Sequence, residues 1–152
     1  MDLETRKAYL IQIGNVCNQH SFFEYVIAHA IWHLLKLDKE TGTIVTRGMD
    51  LRPLLEMAIE LAAHLKTDKE VQAALGNALK EIEKLNPKRN DIVHGVYSQS
   101  DSSKILKREN HRRKNRDRKE ITVDEIAEVG KNYSEASQKV LMAFEKHNIL
   151  ID

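Results

Sequence analysis

The sequence predicts an all-α fold: an up-down bundle of four to five helices, with one long basic loop before the last helix. Three observations predict it. Apolar residues recur at helical spacing along nearly the whole chain. No stretch alternates between apolar and polar as a half-buried strand does. Three apolar runs are preceded by a Ser or Thr followed three residues later by Glu, the capping box that opens helices. With 152 residues, 41% of them hydrophobic, residues 1–152 are expected to form one domain with its own core.

The elements follow in order. In the first segment Leu3, Leu10, Ile13 and Cys17 repeat at helical spacing, and the pattern weakens between Gly14 and His20. Ser21-Phe22-Phe23-Glu24 then reads as a capping box. The run FFEYVIAHAIWHLLKL is apolar on almost every side, as a helix buried centrally or in a subunit interface would be. Asp38 to Gly42 ends it with turn chemistry. A third helix is expected from about Asp50 to Leu65, with Leu51, Leu54, Leu55, Ala58, Leu61, Ala62 and Leu65 on one stripe and Pro53 in its first turn. Thr67 to Glu70 is a second capping box. Val71, Leu75, Ala78, Leu79, Ile82 and Leu85 form the buried face of the helix it opens. Asn86-Pro87 either starts a further short helix or kinks a continuous one. Periodicity vanishes from Ser98 to Glu120, so residues 98–121 read as the loop. Thr122 to Glu125 is the third capping box. The last helix carries Ile126, Val129, Tyr133, Ala136, Val140 and Phe144 inward.

Composition narrows the function only a little. The formal net charge is +1, so no global imbalance selects a partner. Cys17 is the single cysteine, which excludes an intramolecular disulfide and fits a reducing compartment. The first residues, MDLETRKAYL, lack the layout of a signal peptide. No apolar run approaches the roughly 18 residues of a membrane span. A cytoplasmic protein without a membrane partner is expected.

Chemistry concentrates in KRNDIVHGVYS, residues 88 to 98. Arg89 and His94 are five apart, a rotation of about 140° on a helix, so they do not stack on one face. Asn90 and His94 are four apart and share a face, so Asn90 is placed to orient the imidazole. A phosphate held by one Arg89 and one His94 would be incompletely surrounded. A two-fold dimer would double both groups. Histidine suits proton transfer near neutral pH, and arginine offers a fixed fork of donors for a phosphoryl group gaining charge.

The segment R89-N90-D91-I92-V93-H94, followed by Gly95, resembles the signature of the HEPN superfamily. That signature is an arginine, four to six residues and a histidine, often with a polar residue beside the arginine. The all-helical layout and length are similar too. The resemblance implies a helical homodimer with facing motifs and metal-independent endoribonuclease activity without a cofactor. Cleavage would proceed by attack of the ribose 2′-hydroxyl and leave a 2′,3′-cyclic phosphate. Arg89 and His94 are then the catalytic pair, with Asn90, Asp91, Tyr97 and Glu24 in support. The resemblance also implies a toxin or defence setting, with an antitoxin such as an MNT-type nucleotidyltransferase. Some HEPN toxins carry a modified tyrosine two residues after the histidine. Here Val96 fills that slot and Tyr97 follows it, which argues against modification. The alternative is a HEPN-like module that binds RNA, nucleotides or protein without catalysis.

The loop contributes Lys104, Lys107, Arg108, Arg112, Arg113, Lys114, Arg116, Arg118 and Lys119 as an expected phosphate-tracking arm for RNA. It has no aromatic residue, so base stacking is not indicated. His29 and His33 are four apart and would ligate a metal if a third ligand converged. No HExxH or cysteine pair supports that, so packing is expected. Cys17 reads as a structural thiol.

Overall fold

The computed structural model describes residues 2–99, 106–109 and 119–149. Five helices account for most of them: α1 (Leu3–Leu35), α2 (Lys39–Thr46), α3 (Leu51–His64), α4 (Lys69–Val93) and α5 (Val123–Lys146). The protein is an all-α bundle, as the periodicity predicts.

α1 departs most from expectation. Asp2 caps it by accepting the Thr5 N–H at 2.8 Å, and it runs unbroken for 33 residues. Ser21 does not start a helix. Gly14 costs only about 1 kcal/mol inside a helix, and a continuous seam of buried and partly buried side chains on both sides of it outweighs that. The seam is Tyr9, Ile13, Val16, His20, Phe23, Ile27, Ala30 and Leu34, alternating steps of four and three residues. Leu3 and Leu10, which repeat at helical spacing in the sequence, are 64% and 58% exposed because they lie off this seam.

Asp38 is a cap, not a terminator. It accepts the Thr41 N–H at 2.9 Å and opens α2. α2 lies against α1 through Gly42, where an added Cβ would run into the Trp32 ring. Trp32 donates its indole N–H to Thr46 Oγ1 at 3.1 Å. In α3 the expected stripe is buried at Leu51, Leu54, Leu55, Ala58 and Ala62, while Leu65 lies beyond the helix end and is 46% exposed.

Asp68 rather than Thr67 caps α4, accepting the Glu70 N–H at 2.9 Å. α4 then continues through Pro87 to Val93, so the Arg89 motif occupies its last turns. Thr122 and Glu125 form the predicted reciprocal capping box at the start of α5. All six residues of its expected stripe are buried.

The four long helices close a ring in which α1 touches α3 and α5, and α4 touches the same two. Arg52–Glu83 and Lys146–Glu70 contacts make α3 and α5 antiparallel to α4. Tyr9 meets Ile121 just before α5, and His33 shares a cavity with His147 just after it, so α1 and α5 run the same way. Strict up-down alternation therefore fails between α1 and α3. The α2 excursion replaces a tight turn there and brings the chain back before α3 begins.

The expected loop also holds a small antiparallel sheet, with β1 (Val96–Gln99), β2 (Leu106–Glu109) and β3 (Lys119–Ile121) in the order β1-β2-β3. The absence of strands expected from the sequence is thus corrected. These strands are three or four residues long. On β3, Ile121 is the one buried residue, at 8% exposure, so no alternating apolar face marks the strand in the sequence.

Candidate functional site

Arg89 stands one turn before the end of α4 and is half-buried. Its Nη1–H donates to Oδ1 of Asn90 at 3.0 Å. Its Nε is buried and has no hydrogen-bond partner among the described residues. A buried donor left unmade costs about 1–3 kcal/mol.

The guanidinium belongs to a polar nest built from four helices. His20 and Glu24 come from α1, Asp50 from the start of α3, Asn86 and Arg89 from α4, and Tyr133 from α5. His20 Nδ1 lies 3.7 Å from Glu24 Oε1. The His20 ring meets Tyr133 edge-on, with centroids 5.4 Å apart. Tyr133 donates its O–H to Asn86 Oδ1 at 2.7 Å.

Electrostatics tie the nest to Arg89. Burial and, after it, the Arg89 charge lower the His20 pKa, against Asp50, to about 4. Burial and the Asp50 charge raise Glu24 above the ordinary carboxylate value, against the Leu51 N–H and Arg89. Burial raises Tyr133, again with Arg89 opposing. At neutral pH the nest therefore holds one cation, an uncharged imidazole and an uncharged phenol. Such concentrations of shifted groups favour functional sites.

His94 lies elsewhere. It is the C-cap of α4 and is exposed, its backbone N–H bonded to Asn90 O at 3.0 Å. Asn90 spends its side-chain oxygen on Arg89, not on the imidazole as the shared face suggests. Arg89 thus faces the bundle interior while His94 faces outward. Asp91 lines a different hollow, with Lys88, Lys119 and Asp124. Tyr97 is on β1, donating its O–H to Ile92 O at 2.7 Å and packing on the Tyr9 ring. Its hydroxyl therefore ties the sheet to α4.

Of the basic arm, Lys119 begins β3 and is exposed, and Lys107 and Arg108 fall within β2. Lys104, Arg112, Arg113, Lys114, Arg116 and Arg118 lie outside the described residues. His29 stacks between Tyr25 and Trp32, at 3.9 and 4.2 Å, with Nδ1 donating to Tyr25 O. Among the described residues, metal-ligand spacing is found at Asp68, Glu70 and His147, at the far end of α4 from Arg89. Glu70 there already pairs with Lys146 at 2.7 Å and His147 at 3.0 Å.

Sequence reasoning finds Arg89 and Glu24 but misses His20, Asn86 and Tyr133. One signal for His20 was present: it is the only polar residue in the four-three seam of α1. No helix among the described residues is long and apolar enough to cross a membrane. Comparison with known protein families, with curated proteins and with solved structures returned no match.

Proposed function

We propose that the chain is a metal-independent endoribonuclease of HEPN type, acting as a homodimer whose two Arg89–His94 motifs face one another. One observation carries the reading: the motif arginine keeps a buried donor without an acceptor, in a nest of groups whose protonation it biases. Because that donor is buried, a phosphodiester oxygen would supply the acceptor only once the nest opens, and the arginine would then stabilise the charge that develops in the transition state. The 2′-hydroxyl is an internal nucleophile, so His94 need only move a proton.

The outer surface of α1 supports the dimer. Ile11 is 64% exposed, Tyr25 43% and Phe22 38%. Between Lys7 and Lys36 the only charged residue is Glu24, which is turned inward to the nest. Charge-poor, aromatic surface is what buried interface cores use. The toxin setting, the nucleotidyltransferase partner and the cytoplasmic location belong to the same proposal. Modification of Tyr97 is not part of it, because that hydroxyl is engaged with Ile92 O.

The test is incubation with RNA in EDTA, with analysis of the product ends. Cyclic-phosphate ends that disappear in both His94→Ala and Arg89→Ala support the enzyme. Light scattering should give about twice the 17.5 kDa chain mass. One observation favours a second reading, a non-catalytic RNA-binding or protein-interaction module: no described residue hydrogen-bonds the exposed His94 ring to orient it. Binding without cleavage in the wild type and both variants would select that reading.

A further inference from the structure

Glu83, Asn86, Pro87 and Asn90 follow one another along α4 at helical spacing, so they share one face. With Arg52 of α3 they line a hollow of about 470 Å³, a size that small-molecule sites have. The hollow adjoins the motif, because Asn90 is bonded to Arg89.

The bonds already made decide what each wall offers. Asn86 Oδ1 accepts from Tyr133 at 2.7 Å, and Asn90 Oδ1 accepts from Arg89 at 3.0 Å. An amide whose oxygen is taken has its two N–H groups left to give. Neither Nδ2 has a partner among the described residues. Glu83 is exposed, and its carboxylate only accepts. Its Oε1 stands 3.4 Å from Arg52 Nη2, an ion pair with no hydrogen bond, so its oxygens stay open to donors. Arg52 is held from behind by Glu56, at 2.9 Å from Nε. Its planar guanidinium is a surface on which a base can stack.

Along α4 the order is therefore acceptor, donor, donor. A matching ligand is flat, with donors at one end of an edge and acceptors at the other. Guanine has that edge: N2–H₂ and N1–H, then O6 and N7. Uracil places its donor between two acceptors. Adenine and cytosine present one donor group where guanine presents two side by side for a carboxylate. We propose that the hollow is a guanine subsite, in which Glu83 accepts from N1–H and N2–H₂ while Asn86 and Asn90 donate to O6 and N7. Bases of unpaired RNA splay out to be read in this way. The guanine would stand beside the phosphodiester that is cut. That placement rests on the endoribonuclease reading, whereas binding of the base does not.

The experiment uses guanosine and inosine as probes and the asparagine Nδ2–H₂ resonances as the readout. Inosine lacks only the 2-amino group. In the wild type guanosine should shift two asparagine pairs, one of them missing in Asn90→Asp. It should bind about tenfold tighter than inosine, the size of one hydrogen bond to a charged group. Glu83→Gln should bring the two nucleosides within roughly threefold of each other. Asn90→Asp keeps an oxygen for Arg89 and removes only the amide donor, so it should weaken guanosine about tenfold. Equal binding of guanosine and inosine by the wild type overturns the proposal, and so does tighter binding of cytidine than of guanosine. Neither comparison depends on a variant that folds. An unchanged guanosine-to-inosine ratio in Glu83→Gln overturns it as well. Incubation with RNA in EDTA separates the two readings. Guanosine binding without cleavage keeps the subsite and ends the nuclease. Cleavage with no guanine beside the cut, and no guanosine binding, keeps the nuclease and ends the subsite.

Discussion

The Tyr133 hydroxyl donates to Oδ1 of Asn86 at 2.7 Å, pinning α5 to α4 three residues before Arg89. Tyr133 has no exposed surface. Tyr133→Phe keeps the ring that His20 packs against and removes only the donor. The Asn86 oxygen, partly buried, is then left without it. A loss of about 1 kcal/mol is expected, or roughly 2–4 °C in melting temperature for a domain of this size. Urea unfolding with an unchanged slope and a lower midpoint would confirm it. A midpoint equal to the wild type would show that the bond contributes nothing.

Stability should fall as the pH drops below neutrality, because His20 titrates at about 4 in the fold and near 6.5 when unfolded. Between those values the unfolded chain binds the extra proton, so acid favours unfolding. At pH 5 the loss from this group is about 2 kcal/mol relative to pH 8. Glu24 works the other way. Its folded pKa is raised, so the fold binds that proton more readily as pH falls, offsetting part of the loss. Comparing wild type with His20→Asn across pH 8 to 5 isolates the histidine. The wild type should lose more stability over that range than the variant, and parallel curves would refute the assignment.

Glycines should divide by what surrounds them. Gly42 faces the Trp32 ring with no room left for a Cβ between α1 and α2. Gly42→Ala should cost about 1–3 kcal/mol through overpacking and should shift Trp32 fluorescence. Gly14 has nothing within 4 Å on the exposed side of α1. Gly14→Ala should gain about 0.5–1 kcal/mol from helix propensity alone. Equal effects from the two would contradict the packing of α2 on Trp32.

Legibility in the sequence tracks how local the determining signal is. α5 can be read almost residue for residue, because Thr122 and Glu125 mark its start and a single apolar stripe runs its length. α1 cannot, because two apolar faces compete. Leu3, Leu10 and Ile11 lie on an outer face that α1 exposes, while Tyr9, Val16 and Phe23 form the seam. Counting apolar residues alone does not choose between them. α2 hides because Asp38 and Gly42 read as turn residues when they are a cap and a close-packing contact. The motif residues are visible because they are contiguous. The nest around Arg89 is not, because His20, Asn86 and Tyr133 meet only once three helices pack.

The motif pair should separate chemistry from folding. His94 sits exposed at the end of α4, with its ring bonded to no described residue. His94→Ala should therefore leave the melting temperature within the range of ordinary surface changes, about 0.5 kcal/mol either way. If the imidazole moves a proton in RNA cleavage, the same change lowers the rate by about 10²–10⁴-fold. Arg89 differs, because it is half-buried beside Glu24, His20 and Tyr133. Arg89→Met removes the orphaned donor, which favours the fold, and also the charge that opposes protonation of Glu24. Its stability should change little at neutral pH because these effects oppose. Arg89→Lys keeps the charge but loses the planar fork, and a phosphate site that needs the fork should not be rescued by it. Full activity in Arg89→Lys would mean that only charge is required there. A large stability loss in His94→Ala would mean that the histidine is part of the fold and that its effect on cleavage says nothing about proton transfer.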